Sequence, residues 1–355
     1  MKQHKFFIVF LFLLVALRPY NGSANNTANS IDVQEIVMGH TGDSHDWHIV
    51  TINGHHISIP LPIIVKNNDG KWFCFSSSEI NHSPSGFYKG FCIPSTGENK
   101  GKVCEVINGK QSVVKLDLSI TKNVVQLWIV VIVMLLIFIG CARWYSNKDE
   151  RNEAPKGFVG FVEMFVMMIH DDVIKACVGE KHYKKYAPYL LTAFFFIFIS
   201  NLMGLIPIFP GGANLTGNIA ITFVLAIFTF FAVNLFGNKE YWLDIFWPKV
   251  PVWLKCPVPM MPVIELFGIF TKPFALMVRL FANIFAGHAI VLSLTCVIFI
   301  SCQLGLAIGA GLSTVSVIMI IFMDCLELLV AFIQAYVFTM LSSIFIGLAH
   351  AEAHE

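Results

Sequence analysis

Polarity changes character twice along this chain. Residues 6–17 form an apolar run of twelve behind a basic start at residues 1–5, and Gly22-Ser23-Ala24 then offers small side chains for cleavage. Twelve residues at about 1.5 Å each cannot cross a hydrocarbon core of about 30 Å. The pattern predicts a signal peptide over 1–24. Residues 25–121 are polar, with strand-like alternation in Ile57-Ser58-Ile59-Pro60-Leu61-Pro62-Ile63-Ile64-Val65 and turn signals at Asn53-Gly54, Asp69-Gly70 and Asn108-Gly109. That combination predicts a small β-rich domain.

From residue 122 onward the chain is dominated by long apolar stretches at 124–141, 187–209, 217–236, 263–300 and 313–349. They predict a membrane domain over 122–355 with five transmembrane helices. The stretch 158–178 is apolar but interrupted by Glu163, His170, Asp171, Asp172 and Lys175, and reads as an amphipathic helix on the membrane surface. The expected fold is therefore mainly α: a polytopic helical protein carrying a small N-terminal β-rich domain.

The last two stretches have 38 and 37 residues, where about twenty span a bilayer. As helices each would run about 55 Å. Strong tilt, a kink near Pro273 or a break near Asp324 would absorb the excess.

Composition agrees with this pattern. Of the 355 residues 56% are hydrophobic and only 13% charged, with a mean hydropathy of +0.68. Soluble domains carry about 25% charged residues. The net charge of +1 says nothing about nucleic acid, but no basic patch interleaved with aromatics occurs, so no nucleic-acid partner is expected. Arg143, Lys148, Arg151, Lys156, Lys175, Lys181, Lys184 and Lys185 lie between the first two spans, and Lys239, Lys249 and Lys255 follow the third. The loops around Gly211-Gly212 and Gly305–Gly311 carry no charge. The positive-inside rule makes the charged loops cytoplasmic, which puts the N-terminal domain outside and the C-terminus inside.

The β-rich region holds Cys74, Cys92 and Cys104, enough for one disulfide in an oxidising compartment, with the pairing open. It also holds His40, His45, His48, His55, His56 and His82, but their spacing matches no structural zinc pattern, and no metal or cofactor is expected. Cys141, Cys177, Cys256, Cys296, Cys302 and Cys325 lie in or near apolar segments and read as packing residues. A haem would need several membrane histidines, and only His288 is deep in a span. No phosphate loop, zinc-hydrolase motif or nucleophile elbow is present.

The chemistry concentrates in the last two spans. Arg279 sits inside the most apolar stretch, and its guanidinium cannot shed its charge. A mid-membrane arginine costs about 2.5–3.5 kcal/mol on insertion scales. Something in the membrane must need a fixed cation there. Glu265, Lys272 and His288 share its segment, and Asp324, Glu327 and Gln334 lie on the next. In antiparallel neighbours, Arg279 falls at the depth of Gln334, and His288 at that of Glu327. His288 and Glu327 both titrate and form a candidate relay from the outside. Glu265 and Lys272 fall on the cytoplasmic side. Arg279 between them would block a proton from passing straight through, so a mobile carboxylate must carry it around. A structural ion pair between Glu327 and Arg279 is the other use of these charges. Asn201, Asn214, Thr216 and Asn218 either line an outer vestibule or serve as helix caps and turns.

These residues fall in a familiar order. Lys272-Pro273-x5-Arg279-Leu280-Phe281-Ala282-Asn283-x3-Ala286-Gly287-His288 resembles the core motif of subunit a of the F-type ATP synthase membrane sector. Asn201-Leu202-Met203-Gly204-Leu205-Ile206-Pro207 is similar to that family's second-span motif, and Glu327-x6-Gln334-Ala335-Tyr336-Val337-Phe338 to its last-span motif. The likeness covers about residues 155–350. It implies a non-catalytic proton-channel subunit in a bacterial plasma membrane, working with a ring of c subunits, peripheral-stalk b subunits and other ATP synthase subunits, in contact with membrane lipid. By the same resemblance Arg279 faces the ring, with Asn283 and Gln334 as its polar neighbours. Glu265 and Lys272 then belong to a cytoplasmic half-channel, and His288 and Glu327 to an outer one. His288 and Glu327 stand exchanged relative to some family members, and Gly204 replaces an acidic residue found in others. The rival reading is a secondary ion transporter with midplane charges; such proteins usually show inverted repeats, and no second copy of the Arg279 segment exists here.

Overall fold

The computed structural model describes residues 33–52, 55–81, 83, 86–94, 99–107, 110–147, 154–206, 211–246, 260–301 and 306–350. The expected signal peptide lies outside the described residues.

Helix α1 (Val33–Thr41) opens the described chain, followed by β1 (Asp46–Ile52), β2 (His55–Pro60), β3 (Pro62–Lys66), β4 (Trp72–Ser76), the short α2 (Ser77–Asn81), β5 (Phe91–Cys92), β6 (Cys104–Ile107), β7 (Lys110–Val113) and β8 (Leu116–Asp117). The strands form three small antiparallel sheets, ordered β1-β2, β4-β3-β8 and β5-β6-β7. Asp69-Gly70 makes the β3–β4 turn: Gly70 takes φ +85°, its N–H donates to the Asn67 carbonyl, and the Asn67 side chain accepts from Lys71 N–H. Alternation on β3 sends Ile63 and Val65 inward, where they meet Phe75, Ile80, Phe91, Val103 and Val114 in one core.

Helix α3 (Lys122–Asn147) is the first span. Its start is fastened to the β-rich region, because Lys122 N–H donates to the Ser44 carbonyl at 2.9 Å and Asn123 N–H to Asp43 Oδ1 at 3.2 Å. Helix α4 (Phe158–Met167) continues through a π-helical segment, Met168–Lys175, into the single turn α5 (Ala176–Val178), which Gly179 ends at φ +86°. Ile169, Val173 and Ile174 are buried while Asp171, Asp172 and Lys175 are exposed, so the polar interruptions in this stretch lie on its wet side. The first half exposes Phe158, Phe161, Met164 and Met167, an apolar surface suited to lipid.

The remaining elements are α6 (Tyr183–Leu205), α7 (Ile219–Asn234), α8 (Lys239–Phe246), α9 (Met260–Ser301) and α10 (Leu306–Ala349). The third apolar stretch is shorter as helix than its hydropathy suggests. Asn218 caps α7 by accepting from Ala220 N–H, and after 16 residues the chain bends by 99° into α8. Among the described residues four helices are long and apolar enough to cross a membrane, or five when the bent pair counts as one span. The last two stretches are each one unbroken helix, of 42 and 44 residues. Pro273 lies inside α9, and α10 runs straight through Asp324. At about 63–66 Å both are twice the hydrocarbon thickness, so the pair crosses obliquely.

A single core joins the bundle. Leu190, Phe194 and Ile197 of α6 meet Leu276, Leu280 and Ile284 of α9 and Ala335, Phe338 and Ile346 of α10. Hydroxyls add polar links: Tyr189 to Thr229 at 2.9 Å and Thr229 to Ser342 at 3.3 Å connect α6, α7 and α10. A Cβ on Gly347 would fall 2.1 Å from the Cys177 carbonyl oxygen, so glycine lets α10 press against α5. At that end Tyr186 donates to His350 Nε2 at 3.0 Å and Asn238 N–H to the Ala349 carbonyl at 2.9 Å. The start of α6, the turn after α7 and the end of α10 thus share one membrane face. The β-rich region, the 211–218 loop, the end of α9 and the start of α10 share the other.

The register sets Cys92 opposite Cys104 on β5 and β6, while Cys74 is exposed on β4. Mild oxidation should therefore join Cys92 to Cys104 and leave Cys74 free. Peptide mapping checks this, and a bridge through Cys74 would contradict the register. In the reduced protein burial pushes both the Cys92 and Cys104 thiols up. Below the raised values little thiolate exists, so iodoacetamide at neutral pH should alkylate Cys74 first. The two buried thiols should catch up only as pH rises.

Candidate functional site

Three contacts fix how α9 lies on α10. Lys272 Nζ sits 5.9 Å from the Phe345 ring, His288 bonds Glu327, and the Ser301 and Ser313 hydroxyls meet at 3.0 Å. The helices are antiparallel, and interpolation places Arg279 within about a turn of Gln334 in depth. Their side chains nevertheless diverge. Gln334 is only 7% exposed. Arg279 is exposed, halfway along α9.

The spacing of α9 explains this. Leu276, Leu280 and Ile284, four apart, turn into the core. Ala275, Val278, Arg279, Ala282, Asn283 and Ala286 fall on the opposite, exposed side. The guanidinium is thus surrounded by small side chains and one amide. Among the described residues no carboxylate pairs with it; Glu327 is bonded to His288 instead. The structural ion pair between Arg279 and Glu327 is not what forms.

His288 Nδ1 and Glu327 Oε1 are hydrogen-bonded. Glu327 is 6% exposed, and Gly287 makes room for it: a Cβ there would lie 3.0 Å from Oε1. The other ring nitrogen of His288 is buried, has no hydrogen-bond partner among the described residues, and faces Gly204, whose Cβ would lie 3.5 Å away. The imidazole therefore holds a carboxylate with one nitrogen and keeps the second buried beside Gly204. His288 lies in the wall of a cavity of about 400 Å³, lined also by Gly204, Leu205, Gly212, Asn214, Val291, Leu292, Asp324, Glu327 and Thr41. An imidazole bridging a carboxylate and a polar cavity can accept a proton on one side and yield one on the other.

The four polar residues between the end of α6 and the start of α7 divide by role. Asn201 donates to the Ala331 carbonyl at 3.2 Å and accepts from Thr216 at 2.5 Å, which ties α6 to α10. Asn218 is the α7 cap. Asn214 lines the cavity and accepts from Gly217 N–H at 2.8 Å, while its Nδ2 is buried without a partner among the described residues.

Toward the other face, Glu265 and Lys272 flank Gly268, at 4.0 and 3.9 Å from where its Cβ would be. Glu265 also acts electrostatically on Tyr241 of α8, whose hydroxyl donates to Asn234 at 3.1 Å. A separate cleft between α7 and α9, lined by Phe223, Phe230, Phe270, Phe274 and Met277, holds no ionisable group and suits lipid.

Tyr241 and Thr41 are the neighbours that sequence reasoning did not name. Asp324 was named among the ionisable residues of the last span but given no role, although its position three residues before Glu327 puts it on the same helix face. Tyr241 and Thr41 belong to segments whose packing no periodicity reveals.

Histidine 45 is buried, the side chains of His48, His55 and His56 and all of His82 lie outside the described residues, and no group of three potential metal ligands occurs among the described ones.

The geometry agrees with what the chain is similar to. The family described as ATP synthase A chain matches residues 124–347, and a domain of unknown function (DUF8433) matches residues 36–124. ATP synthase subunit a of Pelodictyon phaeoclathratiforme is 47% identical over 247 residues, 68% of each chain. Its counterpart from Chlorobium phaeobacteroides is 43% identical over 257 residues, 71% of this chain and 70% of that one. With a fold, a residue order and relatives that agree, this chain belongs to the ATP synthase A chain family.

Proposed function

We propose that this protein is the proton-channel stator of a rotary F-type ATP synthase in a bacterial plasma membrane. Family membership makes it a non-catalytic membrane subunit that works with other ATP synthase subunits; ATP chemistry takes place on those. The observation that carries the finer reading is Arg279, a permanent cation exposed halfway along a spanning helix and framed by Ala275, Ala282 and Ala286. Such a charge is not left to lipid. Small flanking residues let another helix approach closely. The partner that satisfies both is a ring of c subunits, each bearing a carboxylate at this depth. Peripheral-stalk b subunits would hold the stator still against it.

A carboxylate brought within about 4–6 Å of Arg279 favours its ionised form and releases its proton. Protons reach the ring, or leave it, through the cavity and the His288–Glu327 pair on one side of Arg279. On the other side the path runs past Glu265 and Lys272. The two half-channels are offset in depth, with Arg279 between them, so a proton crosses only by riding the ring. Each crossing releases about 2.3 kcal/mol per 100 mV of potential. Asn283, one turn from Arg279 on the same face, and buried Gln334 keep the surroundings of the cation polar.

Arg279→Ala should lower ATP-driven proton pumping in membrane vesicles by about tenfold or more while the complex still assembles. Arg279→Lys should also fail substantially, because an ammonium lacks the planar fork. Full pumping by the alanine variant would sink the stator reading.

His288 and Glu327 should act as one unit. Alanine at either position should slow pumping, and the double-mutant cycle should be strongly non-additive. The exchanged variant, His288→Glu with Glu327→His, should recover part of the rate, because one imidazole and one carboxylate again share that depth. Losses that simply add, with no recovery on exchange, would separate the two residues.

Orientation is tested with a native thiol. Cys74 is exposed on the β-rich region and should react with an impermeant maleimide applied outside the plasma membrane. Protection there, with labelling only after lysis, would invert the topology.

A further inference from the structure

The β-rich region has no role in the mechanism so far, yet it touches the chamber that the mechanism uses. Thr41, the last residue of α1, lines the same cavity as His288, Asp324 and Glu327. Helix α1 packs on α9, the helix that carries His288. The contact is held at close range: Asp43 and Ser44, two and three residues on, bond the first turn of α3. The end of α1 is therefore anchored on two spans.

The chamber is polar where α1 meets it. Asn214 lines the cavity and is 5% exposed, and its Nδ2 is buried with no partner among the described residues. His288 Nε2 is in the same condition. Both residues thus bring a buried, unpaired nitrogen to the lining of one cavity of about 400 Å³. Asp324, exposed and one turn outward of Glu327, adds a carboxylate near the mouth. The hydroxyl of Thr41 donates to the Val37 carbonyl at 2.7 Å, which leaves its oxygen lone pairs and methyl as the rim.

We propose that the β-rich N-terminal region is part of the ion path: its helix α1 walls the outer mouth of the chamber, and Asp324 is the first titratable group a cation meets there. This rests on the outer half-channel assigned to His288 and Glu327. A negative group behind a narrow neutral rim favours cations and disfavours anions there, so charge added at the rim changes how readily protons pass between His288 and the outside in either direction.

The test uses the intact complex carrying Thr41→Cys, labelled in detergent and reconstituted into liposomes. One sample takes a cationic methanethiosulfonate, with a trimethylammonium head. Another takes an anionic reagent of similar size, with a sulfonate head. ATP-driven acidification is compared before and after labelling, and again after dithiothreitol removes the adduct. The parent chain, with its nine cysteines, is treated identically to subtract other sites. The cationic adduct should slow pumping at least about threefold more than the anionic one, reversibly. Asp324→Asn should shrink that difference. Equal, reversible slowing by both adducts still places Thr41 in the path as a steric wall. Rates unchanged by either adduct, with labelling confirmed by mass, overturn the proposal. Glu327→Gln run alongside separates the two levels. If it pumps at the parent rate the half-channel itself is misassigned, and if it fails while labelled Thr41→Cys does not, only the role of the N-terminal region falls.

Discussion

One constraint organises the membrane part of this protein: a guanidinium that keeps its charge must be held at mid-depth without an internal partner. Pairing Arg279 with a carboxylate of its own chain would satisfy it and remove its effect on anything outside. The structure avoids that outcome twice. The core stripe Leu276-Leu280-Ile284 turns Arg279 away from the bundle, and Glu327, the nearest deep carboxylate on α10, is already bonded to His288. Core packing and the polar pair are therefore one arrangement. The same helix rotation that buries the leucines exposes the cation, and the same antiparallel register that brings Lys272 to Phe345 brings His288 to Glu327.

Much of this was legible in the sequence because the bilayer simplifies the problem. Apolar stretches of helix length mark spans, and an ionisable residue inside one stands out against them. Similar spacing, nine residues from Arg279 to His288 and seven from Glu327 to Gln334, was enough to put the pair at about one depth. Three things were not legible. The third stretch looks like a full span by hydropathy, but the Asn218 cap and the 99° bend after Asn234 cut its helix to 16 residues. The last two stretches invited a break because of Pro273 and Asp324; unbroken helices form because α9 and α10 support each other along their length. Which face carries Arg279 depends on what fills the opposite side, and that is a tertiary fact.

The β-rich region shows the other limit. Its turns were readable from Asp69-Gly70, but its strands are short, and their grouping into three small sheets follows from contacts far apart in sequence, such as Leu118 N–H on the Ile64 carbonyl. The identity of the cross-strand cysteine pair follows from the same register. Glycines play a parallel part in the membrane, where Gly287 and Gly347 each mark a place where a side chain or a backbone comes too close for a Cβ of ordinary freedom. Single glycines in apolar helices do not announce which neighbour they admit.

The division of the polar pair between two helices has a consequence for how the protein is made. His288 enters the bilayer on α9, and Glu327 follows only with α10, whose end is then clasped by Tyr186 and Asn238. During synthesis there is an interval in which the arginine and the histidine are already inserted and their carboxylate partner is not. For that interval the imidazole lacks the carboxylate that holds its ring, and the polar arrangement on α9 is completed only when α10 arrives and its end is clasped.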